Sequence, residues 1–169
     1  MALIKLNNQS LANVTSASSL ALTSSNMPSG SVLQVQYRKI TTSVFSTTST
    51  SMVDWTGAYV DITPNFSDSI LIWQTSLVMN SNTAGQYARF RIVDALNSDT
   101  QWSSNSYMGY YGYYTGTSEY NDVPLMHANT SGTTNAMQLQ LQVLVTGGTL
   151  QDNWSAAEDR TITVTEIKA

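Results

Sequence analysis

Cysteine is missing from this chain, and histidine occurs once, as His127. Without cysteine there is no disulfide, no thiolate nucleophile and no cysteine-ligated zinc. A zinc site built on two histidines of one chain is excluded as well. Charge is scarce: Asp, Glu, Lys and Arg make up 11% of the residues, against about 25% in an average soluble domain. The net charge is −4 and the basic residues are scattered, with Arg38-Lys39 the nearest thing to a patch. Nucleic acids and anionic membrane surfaces are held by clustered Lys and Arg, so neither is an expected partner. No apolar run reaches the ~18 residues of a membrane span. Lys5 and Asn7-Asn8-Gln9 interrupt the N-terminal stretch where a secretory signal needs its apolar core. The expectation is a protein made in a cytoplasm and not inserted in a membrane.

Hydroxyls fill the place left by charge, with Ser and Thr forming about a quarter of the 169 residues. That length suits one domain plus a short extension. Residues 1–30 have a different texture from the rest. Gln9 to Ser29 is rich in Ser, Thr, Ala and Asn and closes on the turn signal Met27-Pro28-Ser29-Gly30. Its apolar residues follow no sustained period, so it reads as an extended N-terminal arm. Leu3, Ile4, Leu6, Leu11 and Val14 are the candidate anchor side chains, and Met1 to Leu6 has the character of a strand that adds to a neighbouring sheet edge.

Residues 31–169 read as strands and turns. Leu33, Val35 and Tyr37 alternate with Gln34, Gln36 and Arg38; Ala88, Phe90 and Ile92 alternate with Arg89 and Arg91; and Met137 to Val145 alternate with three glutamines. Period two puts the two sets on opposite faces of a strand. Ser69 to Met79 carries apolar residues at both parities, the pattern of a strand covered on both faces, in a core or at a subunit interface. Further expectations are a break at Trp55-Thr56-Gly57, a strand over Gln101 to Met108 followed by a loop to Asp122, an edge or bulge at Pro124, and a hairpin-type turn at Gly147-Gly148. Helix signals are nearly absent. The fold class is all-β, an antiparallel β-sandwich of jelly-roll type. So few charges leave its edges without the usual lysine guard, which burial in an oligomer would remedy.

Chemistry is poorly served by this sequence. A serine triad has only His127 for its base and lacks a Gly-x-Ser-x-Gly elbow, so His127 reads as a structural or interface residue. Asp94, Asp99, Glu119, Asp122, Glu158 and Asp159 are candidates for the carboxylate pair of a glycosidase, but none forms a motif and most lie in turns. Calcium ligands are conceivable at Asp94–Asp99 and Glu119–Asp122, without EF-hand spacing. Phosphate-cradling glycine motifs are missing. The expectation is no enzyme activity, no metal and no cofactor. One segment stands apart: Tyr107, Tyr110, Tyr111, Tyr113, Tyr114 and Tyr120 fall within fourteen residues among Gly, Ser and Thr. Tyrosine offers a flat face with a polar tip at small entropic cost, and recognition loops use this mixture. The loop is a candidate for recognition or for a subunit interface, and Trp102 and Trp154 are candidates to join either.

Met1-Ala2-Leu3-Ile4-Lys5-Leu6-Asn7-Asn8-Gln9-Ser10-Leu11, Pro28-Ser29-Gly30-Ser31-Val32-Leu33-Gln34-Val35, Phe45-Ser46-Thr47-Thr48-Ser49-Thr50-Ser51, Ile62-Thr63-Pro64 and Ile162-Thr163-Val164-Thr165-Glu166-Ile167 resemble the small virion structural proteins of marine tailed bacteriophages: fibres, knobs and capsid decoration proteins. The resemblance spans nearly the whole chain and is strongest over the first 75 residues. It implies a virion protein, a homotrimeric jelly roll over 31–169 held to other virion proteins by residues 1–30. A tail fibre touching host surface polysaccharide is the first reading, a head fibre or capsid decoration protein the second, and a glycan-degrading virion enzyme the third. It carries over no catalytic residue.

Overall fold

The computed structural model describes residues 23–40, 45–103, 106–112, 121–152 and 160–169, with backbone alone for 110–112. Its strands are β1 (Val32–Ile40), β2 (Ser46–Thr47), β3 (Val53–Ile62), β4 (Ile70–Ser81), β5 (Tyr87–Asp94), β6 (Thr100–Gln101), β7 (Gly109–Gly112), β8 (Asn121–Thr130), β9 (Met137–Val145), β10 (Leu150–Asp152) and β11 (Arg160–Ile167). They form two antiparallel sheets. In the first, β11 lies between β1 and β4, β8 pairs with the other edge of β4, and β10 and β2 continue beyond the end of β11. In the second, β9 lies between β3 and β5, and β5 carries β7 on its first half and β6 on its last two residues. The chain is an antiparallel, jelly-roll-like β-sandwich, as its alternation implies.

Alternation builds the core. Ala88, Phe90 and Ile92 of β5 and Met137, Leu139, Leu141, Val143 and Val145 of β9 face Leu71, Trp73, Leu77 and Met79 of β4 and Ile162 and Val164 of β11. Trp55 and Trp73 are wholly buried, and Phe45 stacks on Trp55 with ring centroids 4.5 Å apart. Burying each large apolar side chain contributes about 1.5–3 kcal/mol, enough in sum to make disulfides unnecessary.

Four local expectations change. The chain does not break at Trp55-Thr56-Gly57: β3 runs through it with a register irregularity between Asp54 and Tyr59, and Gly57 takes φ 80°. The glycine relieves the strand as a bulge rather than ending it. Of the strand expected over Gln101 to Met108, the described residues show only the start, Thr100–Gln101, after which Trp102 turns inward to pack. The Tyr/Gly segment is not all loop, since Gly109–Gly112 pairs with β5. Gly147-Gly148 makes a turn but no hairpin: β9 belongs to one sheet and β10 to the other, so the chain crosses the sandwich there. Pro124 does sit on an edge strand, β8, opposite Ser76.

β1 turns Gln34, Arg38 and Ile40, rather than its apolar Val35 and Tyr37, toward the interior. Gln34 and Arg38 are partly covered and Ile40 is buried, while Val35 and Tyr37 point outward. Arg38 lies 3.6 Å over the Tyr59 ring of the opposite sheet. Gln34 serves Glu166, a wholly buried carboxylate on β11. Glu166 accepts hydrogen bonds from Gln34 Nε2 (2.7 Å), the Asn65 amide (2.7 Å) and Asn65 Nδ2 (2.8 Å). Residues 23–30 dock at this same end. Lys168 Nζ donates to the carbonyls of Ser25 (2.8 Å) and Met27 (2.6 Å), and Gly30 and Ser31 exchange backbone bonds with Lys168.

Candidate functional site

The tyrosine segment begins on the outer face of the second sheet. Because Ala88, Phe90 and Ile92 face the core, Tyr87, Arg89 and Arg91 must face outward. Tyr107, 38% exposed, precedes β7 and leans over the same strand. The Arg89 guanidinium lies 4.6 Å from the Tyr107 ring centroid and 4.8 Å from that of Tyr87, and its Nη2 donates to the Tyr87 hydroxyl at 3.0 Å. Its hydrogen bond with Tyr107 outweighs desolvation and holds it above its ordinary pKa, so it is a permanent cation. Arg89, Tyr107, Met108 and Gly109 line a surface depression of about 410 Å³. Arg91, one step along the strand, is tied down: its Nε donates to Gln142 Oε1 at 2.7 Å, and Gln142 Nε2 donates to Asp54 at 2.7 Å. Among the described residues, the ion pair present is Arg160–Asp152, on the far sheet. Among the described residues, Arg89 thus has aromatic neighbours and no carboxylate partner.

Of the other sequence candidates, Tyr110 and Tyr111 are the backbone partners of Arg89 and Ala88. Tyr113, Tyr114, Tyr120, Glu119, Trp154, Glu158 and Asp159 lie outside the described residues, as do the anchor candidates Leu3, Ile4, Leu6, Leu11 and Val14. Trp102 is no recognition residue. It is buried, its Nε1 donates to the Thr130 carbonyl (3.2 Å), and its own carbonyl accepts from Asn129 Nδ2 (2.6 Å). His127 stands edge-on to it, centroids 5.5 Å apart, with burial lowering the imidazole pKa. Asp94 accepts from the amides of Leu96 (3.2 Å) and Gln138 (3.0 Å), a structural use of a carboxylate. Asp122 accepts from the Ser76 hydroxyl. Among the described residues, no three His, Asp or Glu side chains gather as a metal cluster.

A second surface is the outer face of the first sheet. Its cross-strand rows read Tyr37–Thr163–Gln74–Met126 and Val35–Thr165–Ile72–Ala128. Tyr37 is 74% exposed, Met126 70% and Val35 52%. Neither row contains a charge. Between β4, β8 and β11 the face dips into a groove of about 370 Å³ lined by Gln74, Pro124, Met126 and Thr163. The outward Ile70, Ile72 and Val78 explain the apolar residues at both parities of β4. Sequence reasoning saw those residues; Arg89 between two tyrosines escaped it, because Tyr107 is eighteen residues from Arg89 along the chain.

No protein-family model matches the chain, and no curated protein does. Among solved structures, the VP2 capsid protein of infectious bursal disease virus matches with a TM-score of 0.48 and 12% identity, over 79% of this chain and 36% of VP2. The chain therefore spans about a third of that protein. A carbohydrate-binding module from Cellvibrio mixtus lichenase 5A, in complex with cellotriose, matches with a TM-score of 0.35 and 11% identity, over 82% of this chain and 99% of the module. A Bacillus endospore appendage pilus protein matches with a TM-score of 0.32 and 10% identity, over 85% of this chain and 96% of that one. At these scores the likenesses add nothing to what the chain's own strands show.

Proposed function

We propose that this chain is a non-enzymatic virion structural protein of a tailed bacteriophage. Residues 1–30 hold it to the particle, the sandwich self-associates as a homotrimer, and its free end meets the host surface as part of a tail fibre. The observation that carries the reading is the polarity of the sandwich. The described end of the arm, residues 23–30, is clamped by Lys168 at the end where β1 and β4 begin and β11 finishes. Tyr87 and Arg89 lie toward the opposite end, where β5 begins and β9 finishes. A tethered module with its aromatic surface turned from its tether suits attachment better than shell reinforcement. The middle of the first sheet's outer face supports self-association: its charges, Lys39 and Asp122, lie at the end where β1 finishes, and the apolar and hydroxyl side chains of the rows between lose water at small cost. The number three comes from the resemblance of the sequence.

Reconstruction of the particle with and without residues 2–22 of this chain tests the reading. Tail density that vanishes with the truncation, from a protein that still folds, supports it. Density on the capsid lattice makes the chain a head fibre or decoration protein. Hydrolysis of host polysaccharide by the purified protein overturns the non-enzymatic assignment.

A further inference from the structure

We infer that the depression beside Arg89 binds an acidic polysaccharide, one whose sugar rings carry carboxylates. The inference rests on the host-contact reading above and supplies its ligand chemistry. A guanidinium is a planar fork that takes a carboxylate through two parallel hydrogen bonds. Tyr87 and Tyr107 engage two of the five donors of Arg89, and no carboxylate of a described residue pairs with it. Solvent and ligand are left to use its remaining donors. The rings on either side provide what a sugar adds to its charge: the C–H face of a pyranose packs on an aromatic ring, and the tyrosine hydroxyl bonds its rim. Met108 and Gly109 form an uncharged floor.

The surroundings select for sparse charge. A dense polyanion such as nucleic acid needs several cations in line. Here Arg91, the next cation, is held by Gln142 and Asp54, and the chain as a whole is negative. One cation between two aromatic rings fits a polymer with a single charge per sugar. A neutral glycan would leave the cation without a counter-charge.

Retardation of the full-length protein in native gels containing polygalacturonate, with neutral dextran as the comparison, tests this. Polygalacturonate is expected to retard the protein and dextran to leave it alone. Arg89→Gln and Tyr107→Ser are each expected to weaken the retardation on the order of tenfold, with melting temperature and oligomer mass unchanged. Arg89→Lys is expected to recover part of it, since it keeps the charge and loses the fork. Arg91→Gln serves as the control and is expected to change little. Equal retardation by dextran, equal loss in Arg91→Gln, or no retardation by either polymer overturns the inference. An oligomer that dissociates in Arg89→Gln also overturns it, by making the cluster a subunit contact. The two readings fail separately. A protein found on the tail that ignores polygalacturonate sinks this inference alone, whereas Arg89-dependent retardation of a protein absent from particles sinks the virion reading.

Discussion

A buried ion pair and a buried carboxylate show how single residues hold this sandwich. Arg160 and Asp152 pair inside it, on strands that flank the segment 153–159, and burial lowers the arginine's pKa. Removing one partner strands the other charge away from water. Arg160→Met is therefore expected to cost about 3–5 kcal/mol in urea unfolding, while Arg160→Met with Asp152→Leu recovers most of it. Glu166 is the second case. Burial alone would raise its pKa, but the hydrogen bonds it accepts, those from Gln34 and Asn65 among them, outweigh burial and hold it below the ordinary glutamate value. A carboxyl more acidic in the folded than in the unfolded chain stabilises the fold above the unfolded pKa. That contribution fades as pH falls through the folded pKa. Melting followed from pH 7 to pH 3 is expected to show the wild type losing its advantage over Glu166→Gln as the carboxyl protonates. At pH 7 the advantage is about 1.5–3 kcal/mol. An advantage independent of pH would mean that shape rather than charge holds the cluster together.

At the scale of elements, alternation was legible and connection was not. Ile162 and Val164 share a parity with Glu166, so the last strand already placed a carboxylate among core residues. Nothing in the sequence named Asn65 and Gln34 as its donors, 101 and 132 residues away. β1 shows a related limit: its period is clear, yet its apolar Val35 and Tyr37 face outward, because the opposite set is used by Glu166 and Tyr59. The Gly147-Gly148 turn carries the chain between sheets. Gly148 has φ 69°, and a Cβ there would collide with the Thr83 side chain. Gly148→Ala is expected to lose about 1–2 kcal/mol from the left-handed backbone, with more from the collision. Urea midpoints of the wild type and Gly148→Ala measure it. An unchanged midpoint would mean that the loop at 82–86 shifts freely.

The molecule as a whole presents two faces of opposite character. The outer face of the first sheet is apolar and hydroxyl-rich. That of the second displays Arg89 and Arg91 beside tyrosine and glutamine. If the first is the surface through which copies associate, Tyr37→Glu with Met126→Glu places repelling charges on it. Sedimentation equilibrium is then expected to show a fall from about three times 18.4 kDa toward the mass of one chain, with the strand circular dichroism kept. A wild-type chain of 18.4 kDa at tens of micromolar would remove this face from consideration. The same double substitution is expected to leave the Arg89 site untouched, since that site lies on the other sheet.

Composition and period by themselves determined the all-β class, the opposite facing of Ala88-Phe90-Ile92 and Arg89-Arg91, the edge position of Pro124 and the lack of cysteine chemistry, because each depends on residues adjacent or two apart. Tertiary structure alone decided which face of β1 turns inward, that the two-glycine turn crosses between sheets, and that Tyr107 closes over Arg89. Those outcomes depend on pairings between strands distant in sequence. They are fixed by where the other side chains need partners, not by the preferences of the residues themselves.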